Sequence, residues 1–321
     1  MDKLEITIII PVYNNATILE AVFDSIENQN YPVKQIIIID DASSDNSLAL
    51  IKAHATRSRF NVTIVENKKS QGLAACFNQG IRLSATEFVI TLHADCGLVK
   101  EAAIEKLVEP FQKENGVLVT YPCLLQPEGV WNKYNFWLKA QYSQWVGKRH
   151  RTLSGKFDCF RRQTLMDIGL FDNQTFRSAG EDIDIHNRLK KIGKVVGSQA
   201  EIIHLHSNNP GYNIRDYLRK NNQFAECYGA LFRKHYLYNT SKAYLAAIFW
   251  RPLMAAGIII PQTRIWALAL SLLLIFWYKQ KFILNQWWNP RILIFLAFNI
   301  ILFFCYTYYF LKGFISGRQT I

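Results

Sequence analysis

Four clusters in the 321-residue sequence have the residue types for chemistry: Asp40-Asp41, His93-x-Asp95-Cys96, Glu181-Asp182 and His204-x-His206. Asp95 follows a β-branched and aromatic run and has no Lys or Arg beside it, which suits a carboxylate that holds a divalent cation against a diphosphate. The plainer alternative is that Asp95 caps a helix beginning near Val99. Glu181 and Asp182 sit in the first turn of a helical stretch whose apolar stripe is Ile185, Leu189 and Ile192. Acids there compensate the helix dipole, or one of them serves as a general base. Asp184 and Arg188 are spaced to pair on that helix. His204 and His206 fall on one face of an extended chain, where they either complete a metal site or stand as two surface histidines.

These groups need elements to position them. Residues 6–10, 35–39, 61–65 and 88–92 read as strands, the first as a continuous β-branched run of the kind buried on both faces, the second and fourth as buried strands. Helical patterns alternate with them at 16–29, 47–56 and 73–83, the first with Ile18, Leu19, Val22, Phe23 and Ile26 on one stripe. The alternation predicts a doubly wound α/β sheet. Asp40-Asp41 and Asp95 then lie at carboxyl ends of strands in one sheet, where ligands gather. No GxGxxG follows the first strand and no GxxxxGK[ST] occurs, which argues against a dinucleotide dehydrogenase or a P-loop enzyme. Residues 117–121 read as a further strand, and 194–197 with 200–206 as a short strand pair.

Charge is unevenly distributed. Residues 241–321 hold eight Lys or Arg and no acid, so they carry +8 of the total +12 and leave +4 for the rest. This pattern predicts a soluble front and a membrane segment with basic flanks, and a nucleic-acid partner is not expected. The six cysteines show no zinc or redox spacing, which fits a reducing compartment. The N-terminus has no apolar leader core, so the front is expected on the cytoplasmic side.

Residues 131–162 interleave aromatics with eight Lys or Arg against the single Asp158. Such a stretch suits a phosphorylated lipid, a sugar or an anionic membrane; otherwise it is a solvated basic helix with its aromatics in the core. A helix over 213–238 is expected along a membrane surface. Three apolar runs follow, at 243–260, 265–278 and 292–311, and the last is long enough to span alone. Lys279 and Lys281 favour three spans and Lys312 and Arg318 favour two.

Taken in order, the motifs resemble family 2 glycosyltransferases of GT-A fold, over about two thirds of the chain. Pro11-Val12-Tyr13-Asn14 resembles the first nucleotide-binding turn, and Asp41 the base-contacting acid after the second strand. Gly72…Asn78-x-Gly80 resembles the family's glycine–asparagine helix, and His93-x-Asp95 stands in place of its DxD motif. Arg161-Arg162, Gly169…Asp172, Gly180-Glu181-Asp182…Arg188…Gly193, His204 and Tyr217…Asn221 resemble its later blocks.

The resemblance implies an α/β, Rossmann-like, mostly parallel sheet with helices on both faces, followed by C-terminal transmembrane helices. It implies a catalytic domain over 1–212, an interfacial helical region over 213–242 and a membrane domain over 243–321 with two or three spans. The implied activity is inverting sugar transfer from a UDP-, GDP- or dTDP-sugar to a lipid-linked or cell-surface glycan, assisted by Mg²⁺ or Mn²⁺. Asp182 would be the base and Glu181 its catalytic neighbour. Pro11, Val12, Tyr13, Asn14, Asp41, Gly72, His93 and Asp95 would bind the nucleotide-sugar, and Asp95, His204 and His206 the metal. The chain departs from the pattern at His93, where the first DxD acid is expected, and at Cys96, so the site carries less negative charge. Two other classes compete: a non-catalytic nucleotide-sugar-binding scaffold, and a metal-dependent nucleotide-diphosphate hydrolase using His93, Asp95 and His206.

Overall fold

The computed structural model describes residues 3–151, 153–176, 179–205, 211–235 and 242–320, with the side chains of 242–244 outside that description. The elements run β1 (Ile6–Val12), α1 (Ala16–Glu27), β2 (Gln35–Asp40), α2 (Ser47–Arg57), β3 (Val62–Glu66), α3 (Leu73–Leu83), β4 (Phe88–Leu92), β5 (Cys96–Leu98), α4 (Ala103–Lys113) and β6 (Val117–Leu125). Then come α5 (Glu128–Asn132), α6 (Phe136–Tyr142), β7 (Arg149–Arg151), β8 (Phe157–Arg161), α7 (Arg162–Asp167), α8 (Glu181–Leu189), β9 (Lys194–His204), α9 (Ile214–His235), α10 (Lys242–Ile259), α11 (Arg264–Asn285) and α12 (Arg291–Ser316). They form two compact units. The first comprises Met1–Val130, Gly147–Asn173 and Glu181–Ser207; the second comprises Trp131–Val146, Gln174–Gly180 and Asn208–Ile321.

The first unit is built on a nine-stranded sheet of order β3-β2-β1-β4-β8-β6-β9-β5, with β7 added on β6. β3, β2, β1 and β4 are parallel, as the β-branched runs and intervening helices predict. β8 is antiparallel to both β4 and β6, and β5 to β9, so the sheet is mixed. Alternation along β1 divides the core: Ile6, Ile8 and Ile10 pack with α1 and α4 on one face, and Ile9 with α3 on the other.

The structure corrects three expectations. No helix begins near Val99: the chain after Asp95 enters β5, and α4 starts only at Ala103. The expected strand pair at 194–206 is one continuous strand, β9. Gly197-Ser198-Gln199 reads as a break because the register slips there against Tyr121 and Cys123, and Ser198 Oγ covers the slip by donating to Tyr121 O at 2.9 Å. Residues 131–162 are not one basic aromatic element either. Trp131, Tyr134 and Phe136 are core of the second unit, while Phe157–Arg161 is β8, between β4 and β6.

The sequence motif Gly72…Asn78-x-Gly80 is explained by packing. Asn78 imitates a strand partner, donating to Phe171 O at 2.8 Å and accepting from Phe171 N at 3.0 Å. Gly80 lets α3 lie directly on β1, because a Cβ there would meet Ile9 Cγ2 at 2.3 Å.

In the second unit α11 and α12 are long and apolar enough to cross a membrane; the apolar part of α10, Leu245–Ile259, is shorter. Phe136, Trp137, Tyr217, Phe282 and Phe295 form an aromatic cluster there.

Gly80→Val should force α3 off β1 and cost about 1–3 kcal/mol, as overpacked cores do. Urea unfolding of the detergent-solubilised chain should show a lower midpoint with an unchanged slope.

Candidate active site

Because β1, β2 and β4 are parallel neighbours, their carboxyl tips share one edge of the sheet. Pro11 and Val12 end β1 and are buried, whereas Tyr13 is 56% exposed. Asn14 turns the chain at φ 50° and accepts from Ser44 N at 2.7 Å, while its own N–H donates to Ser43 Oγ at 3.1 Å. Asp45 accepts from Ala16 N and Ser47 N, both at 3.0 Å. The loops after β1 and β2 are therefore cross-braced.

Asp41 is the centre of a third loop. Its carboxylate accepts from Asn67 Nδ2 at 2.9 Å, Ser70 Oγ at 2.8 Å, Gln71 N at 2.8 Å and Gly72 N at 2.9 Å. Burial alone would raise its pKa. The backbone N–H groups of Gln71 and Gly72, with Asn67 and Ser70, outweigh burial and hold it below the usual carboxylate range. Asp41 thereby shapes the segment from Asn67 to Gly72 that leads into α3. Asp40 is buried beside it and accepts from Ser43 N at 3.2 Å.

Strand pairing brings Asp95 and His204 together. β5 runs antiparallel to β9 with Cys96 opposite His204, and Leu205 N donates to Asp95 O at 2.8 Å. That register sets His204 Nε2 2.9 Å from Asp95 Oδ2, with His93 Nδ1 3.9 Å from Asp95 Oδ1. Donor atoms of Asp95, Cys96 and His204 lie within 4.8 Å of one another, close enough to share one ion. Cys96 is a poor member of the set. Burial first, then the Asp95 charge, push its thiol well above its ordinary pKa, so it stays protonated. The fitting donors are one carboxylate and one imidazole, a set that Mn²⁺ accepts readily. His206 lies outside the described residues.

Glu181 and Asp182 open α8, as the sequence predicts, and Asp182 Oδ1 accepts from Ile183 N at 2.8 Å. Arg188 anchors this helix, pairing with Asp184 at 2.8 Å and donating to Ile168 O at 2.8 Å and Leu170 O at 2.6 Å. The turn it grips has Gly169 and Leu170 at positive φ and runs into Phe171, the residue held by Asn78.

The residue that sequence reasoning missed is Lys156, which it counts as one of eight cations in a basic stretch. Burial would lower its pKa, but the charge of Asp182 first, with those of Asp95 and Glu181, outweighs this and raises it, so it remains an ammonium. Asp182 is affected in the opposite sense: burial raises its pKa, and Lys156 and the Ile183 N–H draw it part of the way back. Lys156 is held in a tight turn. Its carbonyl accepts from His93 N at 3.1 Å, and buried Asp158 accepts from Ser154 N at 3.0 Å and from Gly155 N. Burial pushes Asp158 up to about 7, against the pull of those two N–H groups. The signal available in sequence was Asp158 itself, a lone acid two residues from a lysine in an otherwise basic stretch.

Residues 7–169 match the family described as Glycosyl transferase family 2. A poly-beta-1,6-N-acetyl-D-glucosamine synthase of Staphylococcus aureus (strain COL) is 28% identical over 201 residues, 59% of this chain and 47% of the relative. One from Staphylococcus epidermidis is 27% identical over 195 residues, 57% of this chain and 45% of that protein. The chain therefore spans about half the length of the curated relatives it matches. Among solved structures, mannosyltransferase PcManGT from Pyrobaculum calidifontis, in complex with GDP-Man and Mn²⁺, gives a TM-score of 0.62 at 17% identity, covering 99% of this chain and 88% of that one. GalNAc-T7 with UDP, GalNAc and Mn²⁺ gives 0.51 at 16% identity, covering 77% and 54%. At these identities the likeness is one of fold, a GT-A-like mixed α/β sheet.

If Asp95 and His204 form the cation site, His204→Ala should weaken Mn²⁺ binding at least about tenfold, while Cys96→Ser leaves it essentially unchanged. Electron paramagnetic resonance of unbound Mn²⁺ reads both, and an equal loss in the two variants would return Cys96 to the ligand set.

Proposed function

We propose, from the premise that the chain belongs to glycosyl transferase family 2, that it is an inverting glycosyltransferase moving a sugar from a nucleotide-sugar donor to a glycan or lipid-linked acceptor at the cytoplasmic face of a membrane. The observation that carries this reading is the electrostatic group of Asp182, Lys156 and Asp95: a carboxylate at a helix start and the carboxylate of the Asp95–His204 pair share one half-buried ammonium.

In this reading Asp182 accepts the proton of the acceptor hydroxyl as its oxygen bonds to the anomeric carbon. Attack on the face opposite the departing nucleoside diphosphate inverts that carbon. Lys156 favours the ionised form of Asp182 against burial and brings positive charge to the side of Asp95. Asp95 and His204 would hold a divalent cation, whose chemistry is to neutralise the leaving diphosphate. Exposed Tyr13 and the braced Asn14 and Ser43–Asp45 loops border the nucleotide cleft. Asp41 serves that cleft by organising Asn67–Gly72, since the donors of that loop already fill its carboxylate. The similarity to synthases of an N-acetylglucosamine polymer supports a glycan acceptor and makes UDP-N-acetylglucosamine the first donor to test, ahead of other UDP-, GDP- and dTDP-sugars. The apolar helices α11 and α12 support a membrane location.

Release of nucleoside diphosphate from that donor panel, with Mn²⁺, Mg²⁺ or chelator and with a membrane lipid extract, tests the activity. Asp182→Asn should lower turnover by about 10²–10⁴-fold, the usual worth of a general base, and leave donor binding intact. Strong residual turnover would remove Asp182 from that role, and binding without turnover in the unaltered chain would favour a scaffold.

Activity should fall with falling pH as Asp182 protonates. Lys156→Met removes the charge that opposes protonation, so the acid limb of kcat should move to higher pH, and Lys156→Arg should restore it. An unmoved limb in Lys156→Met would show that Lys156 does not tune the base.

A further inference from the structure

The most apolar helix of the chain, α12, is packed side by side with a helix that cannot cross a bilayer. α9 and α12 run parallel and in register. Tyr217 meets Phe295 and Phe298 with ring centroids at 6.3 and 6.4 Å, and fifteen residues further along both helices Phe232 meets Phe310 at 6.0 Å. That contact is about 22 Å long at 1.5 Å per residue. Two glycines let the backbones touch: a Cβ on Gly229 would meet Phe310 O at 2.0 Å, and one on Gly313 would meet Glu226 O at 1.9 Å. Lys312 pairs with buried Glu226 at 3.1 Å, and Arg233 donates to Phe314 O at 3.1 Å.

α9 carries Arg215, Asp216, Arg219 and Lys220 at one end and Arg233 and Lys234 at the other. The twelve residues between Lys220 and Arg233 measure about 18 Å, against a hydrocarbon core of roughly 30 Å. They also include Asn221, Asn222, Gln223 and Glu226. A helix bound in register to α9 for four turns shares its inclination.

We infer that α12 lies in the plane of the membrane, half-sunk in the acyl boundary beside α9, and does not cross the bilayer. Its other face fits this position. Ile294, Ile301, Tyr308 and Ile315, one heptad apart, are 56%, 54%, 63% and 73% exposed, on the side opposite buried Phe295, Leu302, Tyr306 and Phe310. The occupant of that apolar stripe is lipid of negative surface charge, because residues 241–321 supply eight cations and no acid. The arrangement also resolves the charge conflict in the tail. With no crossing between them, Lys279, Lys281, Lys312 and Arg318 all stay on one side, and Lys279 and Lys281 are fixed there by donating to Ala140 O at 2.7 Å and Val146 O at 3.4 Å. The inference rests on the membrane location proposed above.

The test uses the full chain with Cys305→Ser, the other five cysteines being buried. Single cysteines at 294, 301, 308 and 315 carry an environment-sensitive fluorophore in phosphatidylcholine–phosphatidylglycerol vesicles. Lipids brominated at successive acyl depths quench it. One common shallow depth at all four positions is expected. A profile with 301 and 308 deepest and 294 and 315 at the surface would overturn the inference, as would absence of quenching at all four, which would assign the stripe to a protein partner such as a second copy. Nucleoside diphosphate release from the same vesicles separates this outcome from the transferase reading: uniform shallow depth without turnover would sink only the latter.

Discussion

Among the described residues, one ammonium set among acids is the constraint on which the candidate site depends. Asp95 and the adjacent Glu181 and Asp182 are drawn from two separate stretches of chain and meet around Lys156, from a third, with Asp158 behind it. Carboxylates brought together away from water repel one another and take up protons unless a cation is held among them. The fold therefore spends a buried carboxylate, Asp158, on fixing the turn that carries Lys156. His93, at the place where the resemblance puts the first DxD acid, fits the same balance: a second acid beside Asp95 would add negative charge to a group that has one ammonium among the described residues.

The scaffold transmits position through few contacts. α3 is central to it. Its N-terminal approach is gathered by Asp41, its middle holds Phe171 through Asn78, and its last turn lies on β1 through Gly80. Phe171 continues the turn that Arg188 grips, and Arg188 belongs to the helix opened by Asp182. The Asn67–Gly72 loop and the proposed base are thus tied to one short helix. On the other side of the site, the β5–β9 register alone decides that His204 faces Asp95. A shift of one residue would send the imidazole to the opposite face.

The second unit follows a different logic. Apolar length is a good guide to crossing a bilayer only when a helix chooses its own orientation. α12 does not: backbone contact at two glycines and the Glu226–Lys312 pair bind it to the polar helix α9.

Much of the architecture was legible in the residues. The parallel half of the sheet, its helices and the acidic strand tips follow from β-branched runs alternating with helical stripes, because burial of those runs dictates local structure. Asp182 at a helix start, the Asp184–Arg188 pair and the asparagine and glycines of α3 were visible for the same local reason. What lay beyond the sequence was everything set by long-range pairing. β8 enters the sheet between β4 and β6, β9 runs unbroken through a register slip, and Asp95 is followed by a strand. Lys156 became a site residue only because β8 lies against β4 and places its preceding turn beside His93. Composition and periodicity record what each segment prefers on its own. Which segments then share a pocket, and so which charges must be balanced there, is decided by hydrogen bonds between residues far apart in the chain.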